Sequence, residues 1–212
     1  MIKTIIGSFD RLDDAHRAAR ALRSAGFLDS DINFIANNVR RDEGTADVAD
    51  KSDMSGVATG AVAGGALGGA AGLAASLMGL AIPGIGPILA AGPIAAALVG
   101  AGAGAAAGGL IGSLTDQGVE PEHAEIYAES VRRGGTLITV RADQSRTDEA
   151  TAILRDAGAI DIDKRVDEWR ASGWTKFDPK AQPYSYEDIE RDRTRYTTRA
   201  NVSGTTDAGA RR

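Results

Sequence analysis

Two histidines and no cysteine set narrow limits on the chemistry open to this chain. His16 and His123 each stand beside charged residues on a predicted helix, with no histidine or cysteine at metal-ligand spacing, so both are expected as exposed surface side chains. The missing thiols remove disulfides, cysteine nucleophiles and thiolate metal sites together. The serines stand singly, without a base to activate them. Asp10, Asp13 and Asp14 crowd one strand-to-helix turn; helix capping and compensation of the helix dipole account for them, with cation binding as the alternative. No Gly-x-Gly-x-x-Gly follows a strand, the nearest approach being Gly100, Gly102 and Gly104 inside a helical pattern. No Gly-Lys-Ser/Thr phosphate loop occurs either, so nucleotide binding has no support. The expectation is a non-enzymatic protein with no cofactor, no metal and no identifiable small-molecule substrate.

What the chain does carry is a stripe that contains no chemistry. Between Asp53 and Asp116 lie 62 residues without a charge or a histidine. Glycine recurs there at every fourth position: Gly56, Gly60, Gly64, Gly68 and Gly72 form one ladder, and Gly100, Gly104, Gly108 and Gly112 another. A step of four returns to nearly the same helix face, so each ladder lets a second helix approach until backbones nearly touch. The spacing predicts helices over about 55–80 and 93–114, broken between by Pro83, Gly84, Gly86, Pro87, Gly92 and Pro93, with Pro83, Gly84, Gly86 and Pro87 at the tip of a hairpin. Each helix is long enough to span a bilayer. Three features pull the other way. Seven apolar residues in the first helix supply only a few kcal/mol, aromatic belts are missing, and both flanks are acidic. Membrane lipid is the expected partner, a soluble oligomer with buried hairpins the alternative, and a homo-oligomer is expected in both.

The flanks repeat one unit. A shift that lays Thr4 on Thr136 also lays Ala18 on Ala150 and Leu22 to Gly26 on Leu154 to Gly158. Each copy reads as strand, helix, strand, the second ending in a short strand around Ile160 to Val166. Gly26 stands where a helix C-terminal glycine belongs. One further helix, about Pro121 to Arg133, precedes the second copy, its acids at the start and Arg132 and Arg133 at the end suiting the dipole. Two such units in one sheet predict an α+β, ferredoxin-like βαβ-βαβ sandwich split by an inserted Gly/Ala-rich α-helical hairpin. If both halves share a sheet, the tract must leave and return on one side of any membrane.

The expected organisation is a first half-domain over 1–40, a linker over 41–54, the glycine-rich hairpin over 55–115, a helix with the second half-domain over 116–168, a tryptophan-containing docking segment over 169–178, and a largely disordered tail over 179–212. Trp169, Trp174 and Phe177 are read as a clamp on the domain's own surface, with a partner-binding peptide as the alternative. Mixed charge from Glu187 to Arg195 reads as a solvated face with one helical turn. The formal charge of −5 offers no field to attract nucleic acid. Nothing at the start of the chain reads as a signal peptide, so both soluble parts are expected in the cytoplasm, facing the inner membrane.

Several segments resemble a known family. Lys3 to Asp10, Ala25-Gly26-Phe27 and Asp31 to Ala36 resemble the general stress protein 17M-like domain. A group of bacterial proteins with a central glycine-rich tract is similar over roughly residues 1–178, sharing the segments around Ala81 to Ile88, Ala90 to Pro93, Tyr127 to Gly135 and Trp169 to Trp174. The resemblance implies a stress-associated, non-enzymatic role and brings no active site to carry over. The alternatives are a soluble self-assembling oligomer and a sensory module binding a small ligand between sheet and helices.

Overall fold

The structure, a computed structural model, describes residues 1–39, 78–82, 85–92, 94 and 106–207. The chain forms a mixed α+β fold around one antiparallel sheet. Its strands are β1 (Ile2–Phe9), β2 (Ile32–Asn37), β3 (Met78–Ile82), β4 (Gly86–Ala91) and β5 (Thr136–Asp143), in the spatial order β1-β5-β2-β4-β3. The helices are α1 (Leu12–Ser24), α2 (Ala106–Asp116), α3 (Pro121–Arg132), α4 (Thr147–Asp156), α5 (Ile162–Ala171) and α6 (Tyr186–Asp207).

Alternation along the strands splits the core in two. Phe9, Phe34, Ile138 and Val140 point to one face and pack with α1 and α4 through Ala15, Ala18, Leu22, Ala150 and Leu154. Ile35, Ile88, Ala90 and Leu137 point to the other face, against Leu110 and Leu114 of α2 and Ala124, Ala128 and Val131 of α3. Helices thus cover both faces of the sheet. Beyond α3, Ile126 packs with Val166 and Trp169 of α5.

The repeat survives in the hydrogen bonds. After α1, Phe27 N–H donates to Leu22 O at 3.1 Å and Gly26 N–H to Arg23 O at 2.8 Å. After α4, Ala159 N–H donates to Leu154 O at 3.0 Å and Gly158 N–H to Arg155 O at 2.9 Å. Both are Schellman stops, and the left-handed φ of 85° at Gly26 and 98° at Gly158 is what calls for glycine. The second unit then departs from the expected pattern. No strand forms at Ile160 to Val166: Ile160 N–H makes one bond to Ser8 O at 2.8 Å, and α5 begins at Ile162. Asp161 explains the change, since its carboxylate accepts from Lys164 N–H at 3.2 Å and caps the new helix.

The larger correction concerns the tract. Met78 to Leu80, expected at the end of a helix, lie in β3; Gly86 and Pro87, expected at the hairpin tip, open β4. Ile88 pairs with Asn37 and Ala91 with Phe34, so the middle of the tract continues the sheet. Pro83 and Gly84 lie outside the described residues, as do Gly56, Gly60, Gly64, Gly68, Gly72, Gly100 and Gly104. The β-branched and leucine content of 82–89 suits a strand, and Pro87 is placed early in β4. Ile85, Ile88 and Ile94 are fully buried or nearly so, stabilising this arrangement by roughly 1.5–3 kcal/mol each.

A hook closes the β4 end. Gly92 takes φ 92°, and the chain there passes so close to β2 that a Cβ would sit 2.5 Å from Ile32 O. The turn brings Ile94 N–H onto Asn33 Oδ1 at 2.8 Å, while Asn33 Nδ2 donates to Thr139 Oγ1 of β5 at 2.8 Å. One buried amide therefore ties the tract to two strands, with both ends of its side chain satisfied. Gly92→Ala should destabilise the fold by more than the ~1–2 kcal/mol of a left-handed φ alone. Gly26→Ala, whose Cβ meets nothing within 4 Å, should cost only the φ term. Urea unfolding of the two variants measures the difference directly.

Candidate functional site

The densest polar assembly lies where the C-terminal ends of α3 and β1 meet α5 and α6. Glu129 is its centre. The spacing of α3 puts Glu129, Arg132 and Arg133 on one side of the helix end, and burial of Ala128 and Val131 holds that side against the protein. Glu129 is completely buried; Arg132 donates to it through Nε and Nη2 at 2.8 and 2.7 Å, and Arg133 through Nε at 2.5 Å. Arg133 Nη1 reaches Asp192 of α6 at 3.0 Å, and its guanidinium lies 5.0 Å from the ring centres of both Trp169 and Tyr184. Burial works against the Arg133 charge; Glu129, with Tyr184 and Tyr196, outweighs it and holds the group above the usual arginine value.

A second pair borders the first. Arg165 of α5 grips Asp10 bidentately, both bonds at 2.8 Å, and stacks on Tyr196 at 3.6 Å. Trp169 Nε1 donates to Tyr196 Oη at 2.9 Å. Burial, followed by the nearby Asp192 charge, raises the Tyr196 phenol above its ordinary value, so it stays neutral as a hydrogen-bonding group. Between these side chains, with Ser130, Gly134, Gly135 and Arg193, is a cavity of about 10 Å3. That is room for one water and not for a metabolite.

The polar groups of this cluster bond one another and hold elements together. Ser130 Oγ is engaged with Ser8 Oγ at 2.7 Å, and neither histidine reaches the cluster. Each acid of the core faces a guanidinium, so the charges cancel locally. The network fastens α6: Ile189 is buried against Gly134, where a Cβ would collide with it, and Asp192 supplies the ion pair.

The sequence reading of this region requires corrections. The segment Glu187 to Arg195, expected as a solvated face, sends Ile189 and Asp192 inward, and the tail expected as disordered contains α6, of 22 residues. Arg132 and Arg133 stand at the C-terminal end of α3 as expected, and both also bond Glu129, which the sequence reading did not foresee. Trp169 and Phe177 are buried, Trp169 as part of α5 and Phe177 against the α2–α3 side of the core. Asp10, grouped with Asp13 and Asp14 at the α1 cap, pairs with Arg165, and α1 has no side-chain cap. His16 is half-buried and stacks on Phe34 at 5.0 Å; His123 lies 3.6 Å from Glu120. The one early signal for the network was Glu129 at three and four residues from two arginines.

Among the described residues no cluster of three or more metal-ligating side chains occurs. Of the glycine ladders, Gly108 and Gly112 are described. Both stand on α2 with nothing within 4 Å of an added Cβ, while Leu110 and Leu114 on the opposite side are buried. Comparison with protein-family models, with curated proteins and with solved structures finds no match to the chain.

Glu129→Ala takes from buried Arg132 the carboxylate it grips with two bonds, leaves Arg133 with Asp192 alone, and should cost about 3–5 kcal/mol in urea unfolding. Removing the exposed Glu149, which pairs with Arg146 at 2.8 Å, should barely move the midpoint. Equal effects would show that Glu129 is not the anchor of the network.

Proposed function

We propose that this chain is a non-enzymatic, self-associating protein whose glycine-rich tract packs protein against protein. The observation that carries this reading is the open glycine face of α2. The helix is held to its own domain by Leu110 and Leu114, and it turns Gly108 and Gly112 the other way, with no described atom in reach. A glycine inside a helix costs about 1 kcal/mol relative to alanine. Two at helical spacing on an open face are accounted for by a helix that approaches closely enough to need them. The ladder from Gly56 to Gly72 repeats the same spacing in the sequence and lies outside the described residues.

Chain length favours this reading over the bilayer hairpin. With β3 and β4 in the sheet, the uncharged stretch before them is residues 54–77, and crossing out and back takes about 40 residues. Placing 78–91 across a membrane would first take them from the sheet, breaking the β2–β4 and β3–β4 ladders and the packing of Ile85 and Ile88. Against this, Val57, Val62, Leu67, Leu73, Leu77, Met78 and Leu80 return about 2–4 kcal/mol on entering lipid. Among the described residues no helix is long and apolar enough to cross a membrane.

For the fold, we read a ferredoxin-like unit whose fourth strand has shrunk to the Ile160–Ser8 bond and whose opposite edge is extended by β4 and β3. A stress-associated role rests on the resemblance of Lys3 to Asp10 and Asp31 to Ala36 to the general stress protein 17M-like domain.

The test is Gly108→Leu with Gly112→Leu. The added side chains enter open space, so thermal stability should be kept or raised while the oligomer measured by light scattering falls in mass. An unchanged mass would exclude the glycine face as an interface. Flotation of the unaltered protein with lipid vesicles would favour the membrane hairpin instead.

A further inference from the structure

We propose that β1 is a second self-association site, at which two copies pair edge to edge and antiparallel about Thr4. The site lies at the opposite edge of the sheet from β3 and β4, beside the end of α2, where Thr4 Oγ1 donates to Gln117 O at 2.7 Å, and it uses neither Gly108 nor Gly112.

Two backbone bonds fix which way β1 presents its polar groups. Met1 O accepts from Gln144 N–H at 2.9 Å, on the side of β5. Ser8 O accepts from Ile160 N–H at 2.8 Å, on the opposite side. In a strand, a residue's N–H and C=O point the same way and alternate from residue to residue. Ser8 points outward, so Ile6, Thr4 and Ile2 do too, each aiming one donor and one acceptor away from β5. Among the described residues no strand pairs with this edge, and β1 stands last in the sheet order.

The open groups are self-complementary. A second β1 laid antiparallel on a two-fold axis at Thr4 pairs Thr4 with its own copy and Ile2 with Ile6 of the second copy, in both directions. All of these are outward-facing residues, so each pair exchanges two hydrogen bonds, about six in all. The register ends short of Ser8, where Ile160 already occupies the edge. A register centred on Lys3 or Ile5 would match inward-facing residues and form no such bonds.

The side chains agree with this register. Ile2 is 62% exposed on a strand that is otherwise progressively buried toward Phe9. Ile6 is half-buried, at the margin of the α2–α3 side of the core. Ile2 and Ile6 share one face with Thr4, so the pairing sets the exposed isoleucine of one copy against the half-covered isoleucine of the other. Lys3 is the one charged residue on this edge, and it meets Ile5 of the second copy, so no like charges oppose. Natural edges are usually blunted by proline, bulges or charge; β1 has none of these but Lys3.

The absence of cysteine gives a clean test in the full chain. Thr4→Cys places two thiols across the two-fold axis with Cα atoms about 5.5 Å apart, inside the disulfide range. Under mild oxidation it should form a covalent dimer at least about tenfold faster than Arg155→Cys, an exposed control limited by random collision. Ile2→Pro removes an outward N–H, leaves the bonds to β5 in place, and should return the Thr4→Cys rate to that of the control. Crosslinking no faster than the control would overturn the proposal, and so would a rate unaffected by Ile2→Pro. Repeating the measurement with Gly108→Leu and Gly112→Leu present separates the two interfaces: persistent crosslinking supports an independent edge contact, and its loss would overturn that independence.

Discussion

The ladder between β2 and β4 is the interaction on which the rest of this structure depends. A tract with no charge and little side-chain volume has no specific way to fold by itself. Pairing Phe34 to Asn37 with Ile88 to Ala91 gives it one. The pairing satisfies the backbone groups of both strands, buries Ile88 and Ala90 over α2 and α3, and sets the exit direction of the chain. Asn33 and Gly92 then lock that exit, because a left-handed turn in contact with β2 delivers Ile94 N–H to the buried amide. Further along, α2 lies with Leu110 and Leu114 in the same core and Gly108 and Gly112 facing away.

The Glu129 network does a comparable task at the other end of the molecule. Buried ion pairs rarely stabilise more than apolar residues of the same shape would, but they tolerate only one arrangement of their partners. Here the arrangement joins α3, α5 and α6 through Arg133, Arg165, Asp10 and Asp192 and leaves space for one water. The result is a C-terminal helix anchored to the domain through Asp192 and Ile189. The proposed self-association rests on two surfaces that no described residue covers: a glycine face on α2 and the outer edge of β1.

Much of the half-domain architecture could be read from the residues. The duplicated strand and helix, Gly26 at a helix stop, the helix from Pro121 and the docking of Trp169 and Phe177 follow from local pattern, because local chemistry alone decides them. The tract was misread where two patterns overlap. Gly-x-x-x-Gly spacing speaks for a helix, but between Leu77 and Pro93 the glycines fall out of step while isoleucine and leucine gather, and short apolar runs do not declare their period. Long-range partners settled it, with Asn33 hooking Ile94 across 61 positions. Ile160 to Val166 failed for a similar reason: an apolar stretch looked like a strand, and the capping carboxylate of Asp161 outweighed it. Of the ion network only the local Glu129–Arg132–Arg133 spacing was legible; Asp10 and Arg165 stand 155 positions apart.

Hydrogen exchange across β4 tests most directly whether the tract belongs to the domain. If β4 is an interior strand, between β2 and β3, its amides from Ile88 to Ala91 exchange as slowly as those of β5 and do so equally with and without lipid vesicles. Exchange at the rate of an unstructured peptide, or a change in these amides when vesicles are added, would mean that the sheet does not hold the tract and would return it to the bilayer.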